Sequence, residues 1–312
     1  MSSTHSTLRL ALFTGQDIGY ELARYFSGLR DVNLVVYSFD SKHDKINGYR
    51  SAIDFCKANQ ISHRVASTID EKLVNEVKAF NPDLILSAYY ARVFPKSLSE
   101  IPRLGCVNVH PSRLPLYRGP FPTAWAIING DEEIGVTLHY IDDGVDTGDI
   151  LIQKSFPIEP DETGFELYTR SMKLSTKIII ENFQAIANST LKPCKQQGFG
   201  SYFGKFPTRY PISWNTPRAQ LRNHIRAHAL PYFPAYSYLQ TKCVLVSKVS
   251  LIDIDGVRAQ DVGVIVKVFD DHKFAVACPD GCLLVEDYLI FPETDKGDIG
   301  RFVYPSNQFQ DP

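Results

Sequence analysis

At 312 residues the chain is longer than one hydrophobic core usually organises, so a large domain followed by a smaller one is expected. Hydrophobic residues at 44% and charged residues at 22% exclude a disordered chain, and a formal charge of −2 excludes the broad cationic field that draws in a nucleic-acid backbone. Residues Met1 to Thr7 are polar, and no run reaches the roughly twenty apolar residues of a membrane span, so a cytoplasmic protein with no membrane partner is expected.

Leu8 to Thr14 is a short apolar run of strand formers, closed by Gly15 and followed by Ile18, Leu22, Tyr25 and Phe26 at helical spacing. This predicts a strand, a turn and a helix. Val32 to Phe39 predicts a second strand, Tyr49 to Asn59 a helix, Ser62 to Ala66 a brief strand, Asp70 to Phe80 a helix, and Leu84 to Ala88 a fully apolar strand. Strands alternating with helices make a parallel sheet covered on both faces, and right-handed crossovers make it doubly wound. The loops at the carboxyl ends of such strands hold the chemistry. The turn Thr14-Gly15-Gln16-Asp17-Ile18-Gly19 does not read G-x-G-x-x-G, so no nicotinamide cofactor is expected.

Cys106 to His110 predicts a short strand that runs into a proline-containing loop, Pro111 to Gly119. A helix over Thr123 to Ile128, a strand over Val136 to Ile141, an acid- and glycine-rich loop over Asp142 to Asp149, a strand over Ile150 to Phe156 and a long helix over Gly164 to Ala187 follow. Asn188 to Gly200 is polar and proline-broken, which places the domain boundary there: 1–195 and 196–312. Beyond it, Thr216 reads as a cap and Pro217 as the first position of a helix to Ala227. Short strands over Cys243 to Leu251, Gly263 to Phe269, Lys273 to Ala277 and Cys282 to Leu289 then predict a small barrel or open sheet. The fold class is therefore α/β, a doubly wound, mostly parallel sheet with a smaller C-terminal β-rich, barrel-like domain.

Of the six cysteines only Cys278 and Cys282 are close, and the intervening Pro279-Asp280-Gly281 reads as a tight turn with no second pair to match it. Buried free thiols are expected, and no metal site.

Asn108 and His110 are two apart, so on a strand both side chains project from one face. Taken singly, a histidine on an apolar strand is more often a hydrogen-bonded core residue, and Asn108 or Asp146 a turn or cap residue. Together they fit a chemistry. Acyl transfer to an amine passes through a tetrahedral intermediate whose oxygen gains charge while the nitrogen loses a proton, which calls for an uncharged donor, an imidazole and a carboxylate.

The series Asn108-Val109-His110-Pro111-Ser112, Leu114-Pro115, Tyr117-Arg118-Gly119, Asn129-Gly130-Asp131, Gly135-Val136-Thr137 and Asp143-Gly144-Val145-Asp146-Thr147-Gly148-Asp149 resembles the formyl transferases that use 10-formyltetrahydrofolate. The resemblance runs from about Leu8 to Ala187 with order and spacing kept. It implies a Rossmann-like formyltransferase domain, 10-formyltetrahydrofolate as cosubstrate, and Asn108, His110 and Asp146 as the catalytic trio. It also implies that the pterin lies against the loop from Ser87 to Phe94 and the backbone of Asp142 to Asp146. The cofactor-binding residues are then Ser87, Tyr89, Tyr90, Ala91, Val93, Asp142 and Gly144, with Tyr89, Tyr90 and Val93 as walls. The side chains of Asp142, Asp143 and Asp149 read as solvated, and His139 and Tyr140 as structural.

The family divides by acceptor: initiator methionyl-tRNA, nucleotide-linked amino sugars, glycinamide ribotide, hydroxylated ornithine or water. Length and the second domain disfavour the small purine-pathway enzyme. The region from Gly200 has a similar number of basic and acidic residues, and Ser38 to Lys45 lacks the glycine- and arginine-rich insertion usual in the tRNA enzymes. Against this, Gly263 to Gly281 looks like the small barrel those enzymes carry. A nucleotide-linked amino sugar is the preferred acceptor, methionyl-tRNA the alternative, and a non-catalytic folate or nucleotide module the third reading. Tyr117 and Arg118 are candidate acceptor contacts, with an Arg118 ion pair to Asp131 or Glu132 as the structural alternative. Trp214, Tyr232 and Phe233 form a candidate aromatic shelf or, equally, part of the small domain's core. An apolar strand edge in the small domain would suit a homodimer.

Overall fold

The computed structural model describes residues 7–46, 48–207, 209–240, 242–291 and 309–310. They fall into two compact units. The first takes the chain up to Pro120 together with Ile134–Phe156 and Arg170–Gly204; the second takes Phe121–Glu133, Pro157–Thr169 and the described chain from Lys205 onward. Residues 196–204, assigned from sequence to the C-terminal domain, thus lie in the first unit.

The first sheet and the helices along its stretch of chain are β1 (Leu8–Thr14), α1 (Gln16–Ser27), β2 (Val32–Ser38), α2 (Ser41–Ile46), α3 (Ala52–Ala58), β3 (Ser62–Val65), α4 (Glu71–Phe80), β4 (Leu84–Ala88), α5 (Lys96–Ser99), β5 (Cys106–His110), α6 (Pro122–Asn129), β6 (Glu133–Tyr140), β7 (Ile150–Pro157) and α7 (Gly164–Ala187), of which α6 belongs to the second unit. Its strand order is β3-β2-β1-β4-β5-β6-β7. The first five strands run parallel, and β6 is antiparallel to β5. Strands β1 and β4 read as continuous apolar runs because helices cover both faces, and Leu10, Leu12, Phe13, Leu84, Ile85 and Leu86 are all fully buried. Helix α1 closes one face with Ile18, Leu22, Ala23 and Phe26.

Two local differences from the sequence reading have capping causes. Helix α3 begins at Ala52 because Ser51 is extended and its side chain accepts from the Asp54 amide at 3.2 Å. The polar stretch before it holds α2, where the Asp40 carboxylate accepts from the Lys42 amide at 2.7 Å.

The second unit adds β8 (Tyr210–Pro211), α8 (Arg218–His228), β9 (Ala235–Leu239), β10 (Lys242–Ile252), β11 (Ile265–Val268), β12 (Phe274–Cys278), β13 (Gly281–Phe291) and β14 (Phe309–Gln310). The sheet order is β11-β12-β13-β10-β9-β14, with β8 also on β9. Leu221 and Ile225 of α8 pack with Trp214, Val244, Val246, Phe274 and Leu283 in one buried cluster. The helix starts one residue later than expected, because Pro217 has ψ 134° and is not helical. A distant carboxylate caps it instead: the Arg218 amide donates to Asp280 at 2.8 Å.

The six cysteines are free, as expected; Cys56, Cys106, Cys278 and Cys282 are buried, Cys243 is partly buried and Cys194 is exposed. Among the described residues no helix is long and apolar enough to cross a membrane.

Candidate active site

Three strands meet in one cross-strand row. Ser87 of β4 pairs with Asn108 of β5, and Asn108 pairs with His139 of β6, so the three side chains share a face of the sheet. His110, two residues on, lies on the same face at the carboxyl end of β5. The antiparallel return of β6 then delivers the loop 142–149 beside it.

Hydrogen-bond partners assign the imidazole tautomers. His110 Nε2 lies 2.8 Å from the Tyr117 carbonyl, so that nitrogen carries the proton and donates. Nδ1 of the neutral ring is then a lone pair, and it faces Asp146 Oδ2 at 3.6 Å. His139 Nδ1 lies 2.8 Å from the Tyr140 carbonyl and donates there, so its Nε2 accepts from the Asn108 amide at 3.1 Å. The same Nε2 lies 3.6 Å from Asp146 Oδ1. Asn108 is thereby turned with its NH2 toward His139, which takes one of its two N–H donors.

Asp146 is fixed from several sides. Its backbone is left-handed, with φ 54°, and Oδ2 accepts from the Gly119 amide at 2.9 Å. Glycine is required at 119 twice over: φ is 92°, and a Cβ there would sit 2.4 Å from the Phe203 carbonyl oxygen. Burial raises the Asp146 carboxyl pKa, but the facing His110, the His139 contact and the Gly119 N–H together outweigh it and hold the group well below the usual carboxylate range. For His110 burial wins: it lowers the pKa although Asp146 and the Tyr117 carbonyl pull the other way. A neutral imidazole therefore faces an ionised carboxylate at neutral pH.

The other expected residues divide. Tyr90 is 5% exposed, stacked on Phe39 with centroids 5.0 Å apart and in edge contact with Phe13 and Phe94, so it belongs to the core and offers no wall to a ring. Tyr89, with φ 56°, turns its hydroxyl toward Ser175 at 3.3 Å. Val93 is 74% exposed, and Ala91 is exposed beside it. Ser87 is buried. Asp142 is exposed, but its carboxylate accepts from the Gly144 amide at 3.1 Å and the Thr147 hydroxyl at 2.6 Å, so it shapes the turn. Gly144 leaves room for that turn, since a Cβ would lie 2.0 Å from Thr147 Oγ1.

Tyr117 contributes its carbonyl to His110, and its ring stacks on Phe203 at 5.2 Å. Arg118 makes neither of the ion pairs weighed from sequence; its guanidinium donates to Gln196 Oε1 at 3.2 and 2.7 Å. Trp214 is 1% exposed and donates to Ser237 Oγ at 3.1 Å, so it is a core residue with no face for an acceptor. In that same unit Tyr232 is half-buried against Phe121, Phe165 and Phe206, and Phe233 is 41% exposed. His139, expected from sequence to be structural, and Gln196, which the sequence did not single out, also reach Asp146. The first carried a signal, because antiparallel pairing of β5 with β6 puts residue 139 opposite 108. Among the described residues no group of three or more His, Cys, Asp or Glu is placed to hold a metal ion.

The sequence matches the model of the formyl transferase domain over residues 25–183 and that of the formyl transferase C-terminal domain over residues 207–295. The chain belongs to the formyl transferase family. Among similar formyl transferases is a methionyl-tRNA formyltransferase of Citrifermentans bemidjiense, 34% identical over 69% of this chain; the match spans 66% of that relative, just under two thirds of its length. Of solved formyl transferases, an N-formyltransferase from Helicobacter canadensis in complex with folinic acid and dTDP-3-aminofucose superposes with a TM-score of 0.70 at 22% identity, covering 90% of this chain and 99% of that one. A sugar 3N-formyl transferase solved with dTDP and 5-N-formyl-THF gives 0.68 at 21% identity, covering 92% and 99%. These two likenesses show the shared fold.

Proposed function

We propose that this chain transfers the formyl group of 10-formyltetrahydrofolate to the amine of a nucleotide-linked amino sugar. The observation that carries the reaction is the meeting of Asn108, His110 and Asp146 at one end of β5, with His110 Nδ1 presented to Asp146 at 3.6 Å. The amine nitrogen attacks the formyl carbon, and the carbonyl π pair moves onto oxygen. The second N–H of Asn108 donates to that oxyanion, a contribution worth about 10²–10³ in rate where such donors have been removed. The amine proton passes to His110 Nδ1, and Asp146 stabilises the imidazolium formed. Collapse breaks the bond from carbon to the folate nitrogen, which takes that proton from His110, leaving tetrahydrofolate. The pterin is held by the backbone of 87–94 and 142–146 with Val93 beside it, since facing backbone groups can read its donor and acceptor edge.

An amino-sugar acceptor is supported by two features of the sequence: the even balance of basic and acidic residues from Gly200, and the absence of a glycine- and arginine-rich stretch between Ser38 and Lys45. The neighbours solved with dTDP or a dTDP-linked amino sugar agree with it. The 34% identity to a methionyl-tRNA formyltransferase favours the second reading, formylation of charged initiator tRNA.

The deciding experiment incubates the protein with 10-formyltetrahydrofolate and, separately, dTDP- and UDP-linked amino sugars and initiator methionyl-tRNA, reading tetrahydrofolate release. Release with an amino-sugar nucleotide is the expected result. Release with the tRNA alone establishes the second reading, and release without acceptor makes the protein a hydrolase.

A further inference from the structure

The segment that follows α7 crosses both loops of the site. Cys194 pairs with Ile150 through two backbone bonds of 2.9 and 2.7 Å. Ser201 pairs with the other loop: its carbonyl accepts from the Arg118 amide at 2.9 Å, its amide donates to the Pro115 carbonyl at 3.1 Å, and its hydroxyl accepts from the Tyr117 amide at 2.8 Å. Between these two anchors residues 195–200 are exposed, except Gln196, which is half-buried.

The Gln196 amide makes four hydrogen bonds. Nε2 donates to the carbonyls of Asp146 and Gly148, both at 2.8 Å, and Oε1 accepts from Nε and one terminal nitrogen of Arg118 at 3.2 and 2.7 Å. One planar group thus joins the residue beside Gly119, whose amide holds the Asp146 carboxylate, to the left-handed turn that carries Asp146 itself. A primary amide suits this place because it offers two donors and an acceptor: glutamate has no donor, and lysine has no acceptor.

We propose that Gln196 is a positioning residue for formyl transfer, one that fixes the Asp146 turn against the Arg118 loop so that the carboxylate meets His110 at a set distance. This rests on the role given above to Asp146. Arg118 is then a fixed strut of the site.

The test uses the full chain with 10-formyltetrahydrofolate and the acceptor of the panel above that supports turnover, and compares Asp146→Asn, Gln196→Ala, Gln196→Glu and the double variant Asp146→Asn with Gln196→Ala. Gln196→Ala and Gln196→Glu should each lower kcat by about ten- to a hundred-fold with KM for the folate changed less than about three-fold, as expected when an interaction is used in the transition state. On the Asp146→Asn background the further loss from Gln196→Ala should shrink below about two-fold, because the two act as one unit. A full Gln196→Ala loss on that background, or wild-type kcat in Gln196→Glu, overturns the proposal. Wild-type turnover in Asp146→Asn overturns the Asp146 assignment and this inference with it, whereas an inactive Asp146→Asn beside a fully active Gln196→Ala overturns this inference alone.

Discussion

Among the described residues two pairs of histidines lie in the interior, His224 only half-buried, and they live by different rules. In the first unit His110 and His139 flank Asp146, each with one ring nitrogen donating to a backbone carbonyl and the other turned toward the carboxylate. In the second, His224 and His228 lie one helical turn apart on α8 within an aromatic stack: His228 is 4.4 Å from Phe206 and 4.8 Å from Tyr210, and His224 is 4.6 Å from Tyr210, ring centre to ring centre. His228 Nδ1 donates to the His224 carbonyl at 2.8 Å, while His228 Nε2 and His224 Nδ1 are buried without a hydrogen-bond partner. Burial lowers the pKa of both members of this pair, His228 to about 4, just as it lowers that of His110. Desolvation alone therefore does not mark a proton carrier. What separates the pairs is a carboxylate: Asp146 lies 3.6 Å from a ring nitrogen of both His110 and His139, whereas among the described residues none pairs with His224 or His228.

The largest effects should come from breaking the pair formed by the His110 imidazole and the Asp146 carboxylate. His110→Asn or Asp146→Asn should lower turnover by about two orders of magnitude or more while the thermal midpoint stays close to wild type, as read by tetrahydrofolate release and calorimetry. Near-normal turnover in both variants defeats the assignment. His139→Leu should cost about ten-fold in kcat, because the Asn108 amide loses the acceptor that turns it. Unchanged kcat there would return His139 to a purely structural place.

The second unit offers the sharper control on pH. A histidine whose folded pKa is about 4 is neutral in the native state while the unfolded chain, with a pKa of about 6.5, takes up a proton as pH falls. The unfolded state binds more protons between those values, so the sign is a loss of stability on acidification, of about 2 kcal/mol between pH 7 and 5 at 1.36 kcal/mol per unit. His228→Phe should flatten that slope in urea unfolding at the two pH values and leave kcat at pH 7 unchanged; an unaltered slope assigns the acid sensitivity elsewhere. The smallest effect belongs to His110 itself. Its imidazole should titrate below pH 6.5 by NMR, and Asp146→Asn should shift the midpoint further down, since the raising influence of the carboxylate is lost. An upward shift contradicts the arrangement.

The doubly wound sheet was readable because β1 and β4 are uninterrupted apolar runs separated by helical spacing, and the placement of Asn108 and His110 on one face followed from strand period alone. Contacts made at a distance were not readable. Trp214, Tyr232 and Phe233 look alike in sequence, yet the first is enclosed by α8 and the second sheet while the third is exposed. Arg118 carried the signature of an anion contact, but the amide that holds it lies 78 residues away in a polar stretch without periodicity. The start of α8 was misplaced by one residue because Asp280, 62 residues on, supplies the cap. Local propensity reaches neither partner.

The crossing segment 194–203 bears on how enzymes of this kind can be recombined. A chimaera joined at the end of α7 would furnish its reaction loops with a foreign brace, whereas one joined after Gly204 would carry Gln196 and Ser201 along with the loops they tie. A foreign C-terminal part joined to this chain should therefore leave turnover intact only when the seam lies beyond that brace.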